Sequence, residues 1–143
     1  MKTGKEMVEF CKEHYNYVIA KASNLGVAGE DFWIKTFNTM AAVFEVDEEA
    51  RIAFIGVHNY KSVLKHGDTC AYTITNKRIL VAEKKFTKIK IVDESPIEGL
   101  KASYEPTAMM GIIQLVLPDK TISVGLNKDI AERIITDIQK LWF

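Results

Sequence analysis

The sequence has no long apolar run, and proline and cysteine are scarce, at three and two of 143 residues. No apolar stretch approaches the roughly 18 residues of a membrane-spanning helix, so we expect no such helix. The N-terminal segment lacks the apolar core of a signal peptide, so we expect a cytoplasmic protein in which Cys11 and Cys70 are free thiols. With 48% apolar and 27% charged residues, the composition excludes a disordered or fibrous chain and suits one compact domain.

An excess of charge of one sign is also missing, since 19 basic side chains balance 19 acidic ones. The balance does not hold locally: residues 1–50 carry a net charge of −4, whereas residues 51–127 carry +4. These two segments can pair within the chain or with a second copy of it. The basic segment falls short of the concentrated charge typical of nucleic-acid-binding proteins, so we expect no nucleic-acid partner.

Signatures of catalysis and of metal binding are absent as well. The sequence contains no Gly-x-Ser-x-Gly, Gly-x-x-x-x-Gly-Lys or His-Glu-x-x-His motif, so we expect no enzyme activity. A zinc site needs about four converging ligands, and neither Cys-x-x-Cys nor His-x₃-His occurs. We therefore expect no metal and no cofactor, and interpret the candidate ligands as buried thiols and hydrogen-bonded imidazoles: Cys11, His14, His58, His66 and Cys70.

Two helices are predicted in the first third of the chain. Thr3 and Glu6 have the spacing of a capping box, and the apolar pattern that follows predicts a helix over residues 3–24, ending near Gly26. A second helix is predicted over about residues 30–44, with acidic side chains in its first turn. Aromatic side chains of the two helices are predicted to pack either on the chain's own sheet or on a neighbouring subunit: Phe10, Tyr17, Trp33, Phe37 and Phe44.

About seven short strands are predicted after Arg51, and their hairpin-length gaps indicate an antiparallel meander. The alternation in residues 69–74 predicts a strand that is buried on one face only. Asn76 and Lys77 predict a tight turn, because asparagine tolerates the left-handed backbone region, and Gly99 indicates a bend or bulge.

A third helix is predicted to close the chain. Asn127 is a favourable N-cap. Ile130, Ile134 and Ile138 then recur every four residues, which predicts one apolar stripe. The final segment, residues 140–143, is apolar, so we expect it to be docked on the rest of the protein.

These patterns resemble a known family. Residues 67–82, GDTCAYTITNKRILVA, are similar to the signature of bacterial pleckstrin-homology-like domains of the YokE-like kind, in which a strand ends in Thr-Asn, followed by basic residues and an apolar strand. Residues 88–105 and 120–142 resemble later strands and the last helix of that family. The resemblance covers residues 48–143. It implies an α+β fold: a partly open antiparallel β-barrel of about seven strands, capped by a C-terminal helix and preceded by an N-terminal helical hairpin over residues 1–47. It implies no enzyme activity.

In pleckstrin-homology-like folds, basic residues in the early loops can meet phosphorylated head groups or acidic partners. The corresponding candidates cluster around the predicted hairpins: Lys61, Lys65, Lys77, Arg78, Lys84, Lys85, Phe86, Lys88 and Lys90. The alternative interpretation is a solvated strand face whose edge lysines deter aggregation.

The sequence favours a non-enzymatic binding or assembly module that acts through protein–protein contacts, including self-association. The alternative is peripheral recognition of anionic lipid or of a phosphorylated ligand by a basic hairpin edge. A third interpretation is a small-molecule pocket between the sheet and the helices.

Overall fold

The computed structural model of the chain describes residues 1–24, 27–85 and 87–142, with the backbone alone of Trp142. Its helices are α1 (Gly4–His14), α2 (Glu30–Ala41) and α3 (Lys128–Trp142). Its strands are β1 (Ala50–His58), β2 (Thr69–Thr75), β3 (Arg78–Lys85), β4 (Lys88–Pro96), β5 (Lys101–Pro106), β6 (Gly111–Val116) and β7 (Thr121–Leu126). The predicted α+β order of two helices, seven strands and a third helix is thus confirmed.

All seven strands belong to one antiparallel sheet, in the order β4-β3-β2-β1-β7-β6-β5. The sheet is not closed into a barrel, because no hydrogen-bonded ladder joins β4 to β5 in the part of the chain that the structure describes. An ion pair connects the two halves of the sheet, β1–β4 and β5–β7. Lys120 Nζ, from the β6–β7 turn, lies 2.8 Å from Asp93 Oδ1 on β4. In the turn before β5, Gly99 has a positive φ of 76°, as expected for the bend predicted there.

The inner face of the bent sheet encloses the larger apolar core. Side chains from both halves of the sheet meet there, with Phe54 stacked on Tyr72 at a ring-centroid distance of 4.9 Å. The predicted stripe of α3 packs into this core, with Ile134 and Ile138 fully buried. Asn127 caps the helix as predicted, because its Oδ1 accepts a hydrogen bond of 2.9 Å from the backbone N–H of Asp129.

The outer face of β1–β4 carries a second core beneath α1 and α2. Met7, Phe37 and Met40 of the two helices are fully buried against this face. Strands β2 and β3 are therefore buried on both faces, and Ala71 and Thr73 have no exposed surface. The prediction of a half-buried β2 was wrong, because alternation within one strand does not reveal that helices cover its second face.

Helix α1 has the predicted capping box at Thr3, but it ends at His14 instead of continuing to residue 24. The backbone turns at Asn16, which has a φ of 58°, and the N–H of Tyr17 donates back to the carbonyl of Cys11. The turn places the Tyr17 hydroxyl on β1, where it accepts a 3.0 Å hydrogen bond from the Ile55 N–H. Docking on the sheet thus ends the helix early. The predicted stop at Leu25 and Gly26 lies outside the described residues.

The β2–β3 turn forms where predicted, but for a different reason. Asn76 does not have a positive φ. Its side-chain Oδ1 instead accepts a hydrogen bond of 2.9 Å from the backbone N–H of Glu49. The Thr75 Oγ1 accepts hydrogen bonds from the backbone N–H groups of Lys77 and Arg78, at 3.0 and 2.9 Å. Side-chain oxygens, rather than left-handed backbone, therefore stabilise this corner.

The end of the chain is described in part. Leu141, in the last turn of α3, is 42% exposed. The side chain of Trp142 and all of Phe143 lie outside the described residues, so the predicted docking of this segment stays a prediction.

Candidate functional site

The structure divides the predicted basic residues between opposite ends of the sheet. Lys77 and Arg78 lie at the β2–β3 corner, whereas the six remaining lysines lie at the other end. The register explains this division, because Val57 of β1 faces Thr69 of β2, and Ala71 of β2 faces Ala82 of β3. The β1–β2 loop and the β3–β4 connection therefore share one end of the sheet.

At the first end, the basic side chains bind acidic groups of their own chain. Lys77 forms ion pairs with Glu45 and with Asp47, the latter at 2.7 Å. The Arg78 guanidinium donates two 2.9 Å hydrogen bonds to the carboxylate of Glu48, which is only 1% exposed. These contacts use the acidic segment of the chain to neutralise part of its basic segment.

Glu48 shows how strongly this pairing acts. Burial would raise the pKa of its carboxyl. Hydrogen bonds from Arg78, from the Glu45 backbone and from the Thr75 hydroxyl outweigh burial and hold the pKa below its ordinary value. Glu48 therefore stays ionised beside Arg78.

The predicted interface aromatics are also engaged within the chain. Trp33 and Phe37 of α2 are 7% and 0% exposed in the outer core, between the helices and the sheet. Phe44 and Tyr17 are half-buried in the same core. Phe10 stacks on the ring of His14 at a centroid distance of 4.7 Å. These side chains hold the helices on the chain's own sheet, so the aromatic stripe leaves little surface for another subunit.

The second end of the sheet carries the cationic surface that we call the basic end. It consists of the β1–β2 loop, residues 59–68, and of the lysines that flank the β3–β4 connection. Lys85 faces Lys88 directly in the register of β3 and β4. Among the described residues, none of its six exposed lysines forms an ion pair. They are Lys61, Lys65, Lys84, Lys85, Lys88 and Lys90. Phe86, predicted to accompany them, lies outside the described residues.

An apolar tip projects from the basic end. Val63 and Leu64 occupy the turn between Lys61 and Lys65, and they are 60% and 98% exposed. The turn is closed by hydrogen bonds of 3.0 Å, from the Lys61 N–H to the Lys65 carbonyl and from the Lys65 N–H to the Ser62 carbonyl. The sequence analysis missed this tip, because two apolar residues in a short loop give no sign of whether they are buried.

The base of the same loop is ordered by its own contacts. The rings of Tyr60 and His66 stack with a centroid distance of 5.8 Å and an interplanar angle of 16°. The Gly67 N–H donates a 2.8 Å hydrogen bond to the carbonyl of His58. These contacts order the base of the loop that carries the apolar tip.

Titratable side chains lie on the inner face beneath the basic end. His58 Nδ1 is 2.7 Å from the Tyr72 hydroxyl, and its Nε2 is 3.8 Å from a carboxylate oxygen of Asp93. Burial lowers the pKa of His58, although Asp93 and Glu83 oppose the shift. Burial also raises the pKa of the Cys70 thiol and of the Tyr72 hydroxyl. Near neutral pH these groups are therefore uncharged, and Cys70 lacks the thiolate character of a reactive cysteine.

A shallow groove of about 560 Å³ runs along the polar face of α3. His14 and Tyr15 each contact the same Asp137 oxygen there, at 2.8 Å, which ties the end of α1 to α3. The acidic side chains of Asp129, Glu132 and Asp137 line the groove together with the cations of Arg133 and Lys140. This mixture gives no preference for a ligand of either charge.

No group of three or more histidine, cysteine or acidic side chains that could hold a metal ion is found among the described residues. Within the same residues, no helix is both long enough and apolar enough to cross a membrane. A scan against known protein families finds no match to the chain, and a search of the curated proteins finds no similar protein.

Proposed function

We propose that this chain is a non-enzymatic module that binds anionic lipid membranes peripherally through the basic end. The observation that carries the proposal is the apolar tip: Val63 and Leu64 project into solvent between Lys61 and Lys65. A peripheral membrane site combines apolar side chains that enter the interface with cations that meet the anionic head groups. The basic end has both components on one surface.

The cations supply the first component. A lysine close to an anionic membrane surface contributes about 1 kcal/mol of binding free energy, and this contribution falls as salt rises. Asp68 is the acidic residue of the β1–β2 loop, so the six lysines outnumber the local acidic charge. The negative surface potential of the cytoplasmic leaflet matches this charge, which agrees with the expected cytoplasmic location.

The apolar tip supplies the second component. It also distinguishes membrane binding from the alternative interpretation, in which the lysines only protect a sheet edge. Lysines at a sheet edge deter aggregation, and that role accounts for Lys88 and Lys90 on β4. It does not account for a leucine that is 98% exposed. Burying such a side chain in a membrane interface contributes about 1–2 kcal/mol.

The fold supports the family resemblance as part of the same proposal. We propose a pleckstrin-homology-like domain, supported by the seven antiparallel strands, by the tight corner between β2 and β3, and by α3 packed into the inner core. Lys77 and Arg78 are left out of the proposed membrane surface, because they bind Glu45, Asp47 and Glu48 at the opposite end.

Co-sedimentation with vesicles tests the proposal. We expect the protein to bind vesicles of phosphatidylcholine mixed with phosphatidylserine at low salt, to leave them at high salt, and to ignore pure phosphatidylcholine. Leu64→Ser changes no charge and should weaken binding about five- to thirty-fold. The matched control is Val46→Ser, because Val46 is equally exposed, at 98%, in the segment before β1.

A second pair of variants tests the charges. Lys65→Glu should weaken binding at low salt, whereas Lys5→Glu, an equal charge change on an exposed position of α1, should leave it unchanged. The proposal fails if the protein ignores phosphatidylserine vesicles at low salt. It also fails if Leu64→Ser and Lys65→Glu both bind like their controls.

A further inference from the structure

The two edges of the sheet differ in how they are protected against pairing with another strand. On β4, Lys88 and Lys90 stand at the edge, and Lys120 Nζ donates a 3.1 Å hydrogen bond to the backbone carbonyl of Glu94. Charged side chains and covered backbone groups of this kind prevent edge pairing. Strand β5 pairs only with β6 among the described residues, and none of their side chains hydrogen-bonds its backbone. Its charged side chains, Lys101 and Glu105, are of opposite sign.

The hydrogen-bond pattern shows which groups of β5 point away from β6. The Thr107 N–H donates a 2.8 Å hydrogen bond to the Met110 carbonyl, so Thr107 directs its backbone groups toward β6. In an antiparallel ladder this direction alternates from residue to residue. The regular β5–β6 register contains no bulge, so Ala102 and Tyr104 direct their N–H and C=O groups to the free edge.

We propose that β5 pairs with β5 of a second copy of this chain, antiparallel and centred on Ser103. In this register Ala102 of one copy lies opposite Tyr104 of the other. Both residues direct their backbone groups to the edge, so the two symmetric pairs exchange four N–H···O=C hydrogen bonds. The two sheets then continue into one sheet across a two-fold axis, which is the commonest symmetry of protein dimers.

The side chains of β5 complement one another in the same register. Lys101 of each copy lies opposite Glu105 of the other, on the solvent-exposed outer face. These are non-hydrogen-bonded pairs, in which the two Cα atoms lie only about 4.5 Å apart and the side chains come close together. Oppositely charged cross-strand pairs stabilise a sheet, whereas like charges destabilise it.

Self-pairing of β4 is less favoured. Antiparallel registers centred on Ile89 or Lys90 bring lysines opposite one another. A register centred on Val92 places Lys90 opposite Glu94, but Lys120 covers this part of the edge through its ion pair with Asp93 and its hydrogen bond to the Glu94 carbonyl. The charge pattern and the cover on β4 together favour β5 and a second copy of the same chain. This inference goes beyond membrane binding and does not depend on it, because β5 contains no residue of the basic end.

Sedimentation or light scattering over a concentration series, at low salt, tests the inference. A stable interface buries roughly 1,000 Å² or more. A contact of six residues per copy buries little surface by comparison, so we expect a reversible dimer whose population grows with concentration. Lys101→Glu and Glu105→Lys each place like charges opposite one another at two positions. Each should raise the dissociation constant about ten-fold or more.

The double variant Lys101→Glu/Glu105→Lys restores opposite charges in both pairs and should restore the dimer. Lys5→Glu, with the same charge change as Lys101→Glu on exposed α1, should dimerise like the unmodified chain. A monomer up to about 1 mM, a concentration that still reveals weak dimers, would overturn the inference. So would a dimer that neither single variant weakens.

Discussion

Arg78 joins three segments of the chain through its guanidinium group. It forms ion pairs with Glu48 and Glu94 and donates a 2.6 Å hydrogen bond to the Val43 carbonyl. The resemblance to pleckstrin-homology-like domains made Arg78 a candidate for ligand binding. The structure assigns it to holding the segment before β1 against the β2–β3 corner.

Replacing Arg78 by alanine should lower the free energy of unfolding by about 3 kcal/mol. The reason is that the Glu48 carboxylate, 1% exposed, loses the charged partner that compensates its burial. Urea unfolding measures the loss. Arg51→Ala serves as the control, because Arg51 is exposed and forms no ion pair within the described residues. Equal losses in the two variants would contradict this account.

We expect His58 to make the stability of the fold depend on pH. Burial lowers its pKa in the folded protein below the ordinary value of about 6.5. As pH falls below this value, the unfolded chain takes up the proton first. The contribution of His58 to stability is therefore fully present above about pH 6.5, and it is lost with a slope of at most about 1.4 kcal/mol per pH unit as pH falls toward the folded pKa.

The variant His58→Gln isolates this effect, because glutamine can still hydrogen-bond the Tyr72 hydroxyl but does not titrate. We expect the stability difference between the wild-type chain and the variant to shrink from pH 7 to pH 5, as measured by urea unfolding at each pH. The carboxylates common to both proteins largely cancel in this difference. Parallel curves would show that His58 is not the titrating group.

At the scale of elements, the N-terminal helices depend on contacts with the sheet. Gly4 lets α1 approach α2 closely, because a Cβ at this position would clash with the Ile34 carbonyl oxygen. The segment after α1 is held by Tyr17, whose hydroxyl donates to the Ile55 carbonyl and accepts from the Ile55 N–H on β1. This double contact substitutes for a neighbouring strand at that point of β1.

Tyr17→Phe should therefore lower the free energy of unfolding by about 1–3 kcal/mol, because it leaves two backbone groups of Ile55 without their partner. Thermal or urea unfolding gives the stability. Hydrogen exchange gives the location of the effect: the amide of Ile55 should lose protection more than that of Val81 in β3. A uniform loss of protection across the sheet would contradict the local role of Tyr17.

At the scale of the whole molecule, the sheet is shared by two cores. The inner core depends on α3 and on both halves of the sheet, and the outer core depends on α1 and α2. Strands β2 and β3 contribute to both cores. The N-terminal extension of residues 1–47 and the sheet-containing remainder, predicted as separate segments, are thus joined through the same strands.

We expect these segments to unfold together in one cooperative transition. In a Trp142→Phe background, the fluorescence of Trp33 reports on α2, and far-UV circular dichroism reports on the whole chain. The two signals should give the same urea midpoint. An earlier midpoint for Trp33 would mean that the helices detach before the sheet unfolds.

The sequence by itself determined the number and order of the strands, the caps of α1 and α3, and the apolar stripe of α3. These features follow from contacts between residues that are close along the chain, and such contacts leave a period of two or of about four in the sequence. The position of the corner at Asn76 was predicted from the tolerance of asparagine for left-handed backbone, but side-chain hydrogen bonds stabilise it, including one with Glu49, which is distant in sequence.

Only the tertiary structure decided which surfaces remain free. Glu48 and Arg78 are 30 residues apart, and their pairing removes Arg78 from the basic surface. Helix α1 ends early because Tyr17 reaches β1, and Leu64 is exposed because its turn projects from the sheet. Burial and pairing depend on what the rest of the chain brings to a residue, and this information has no local period.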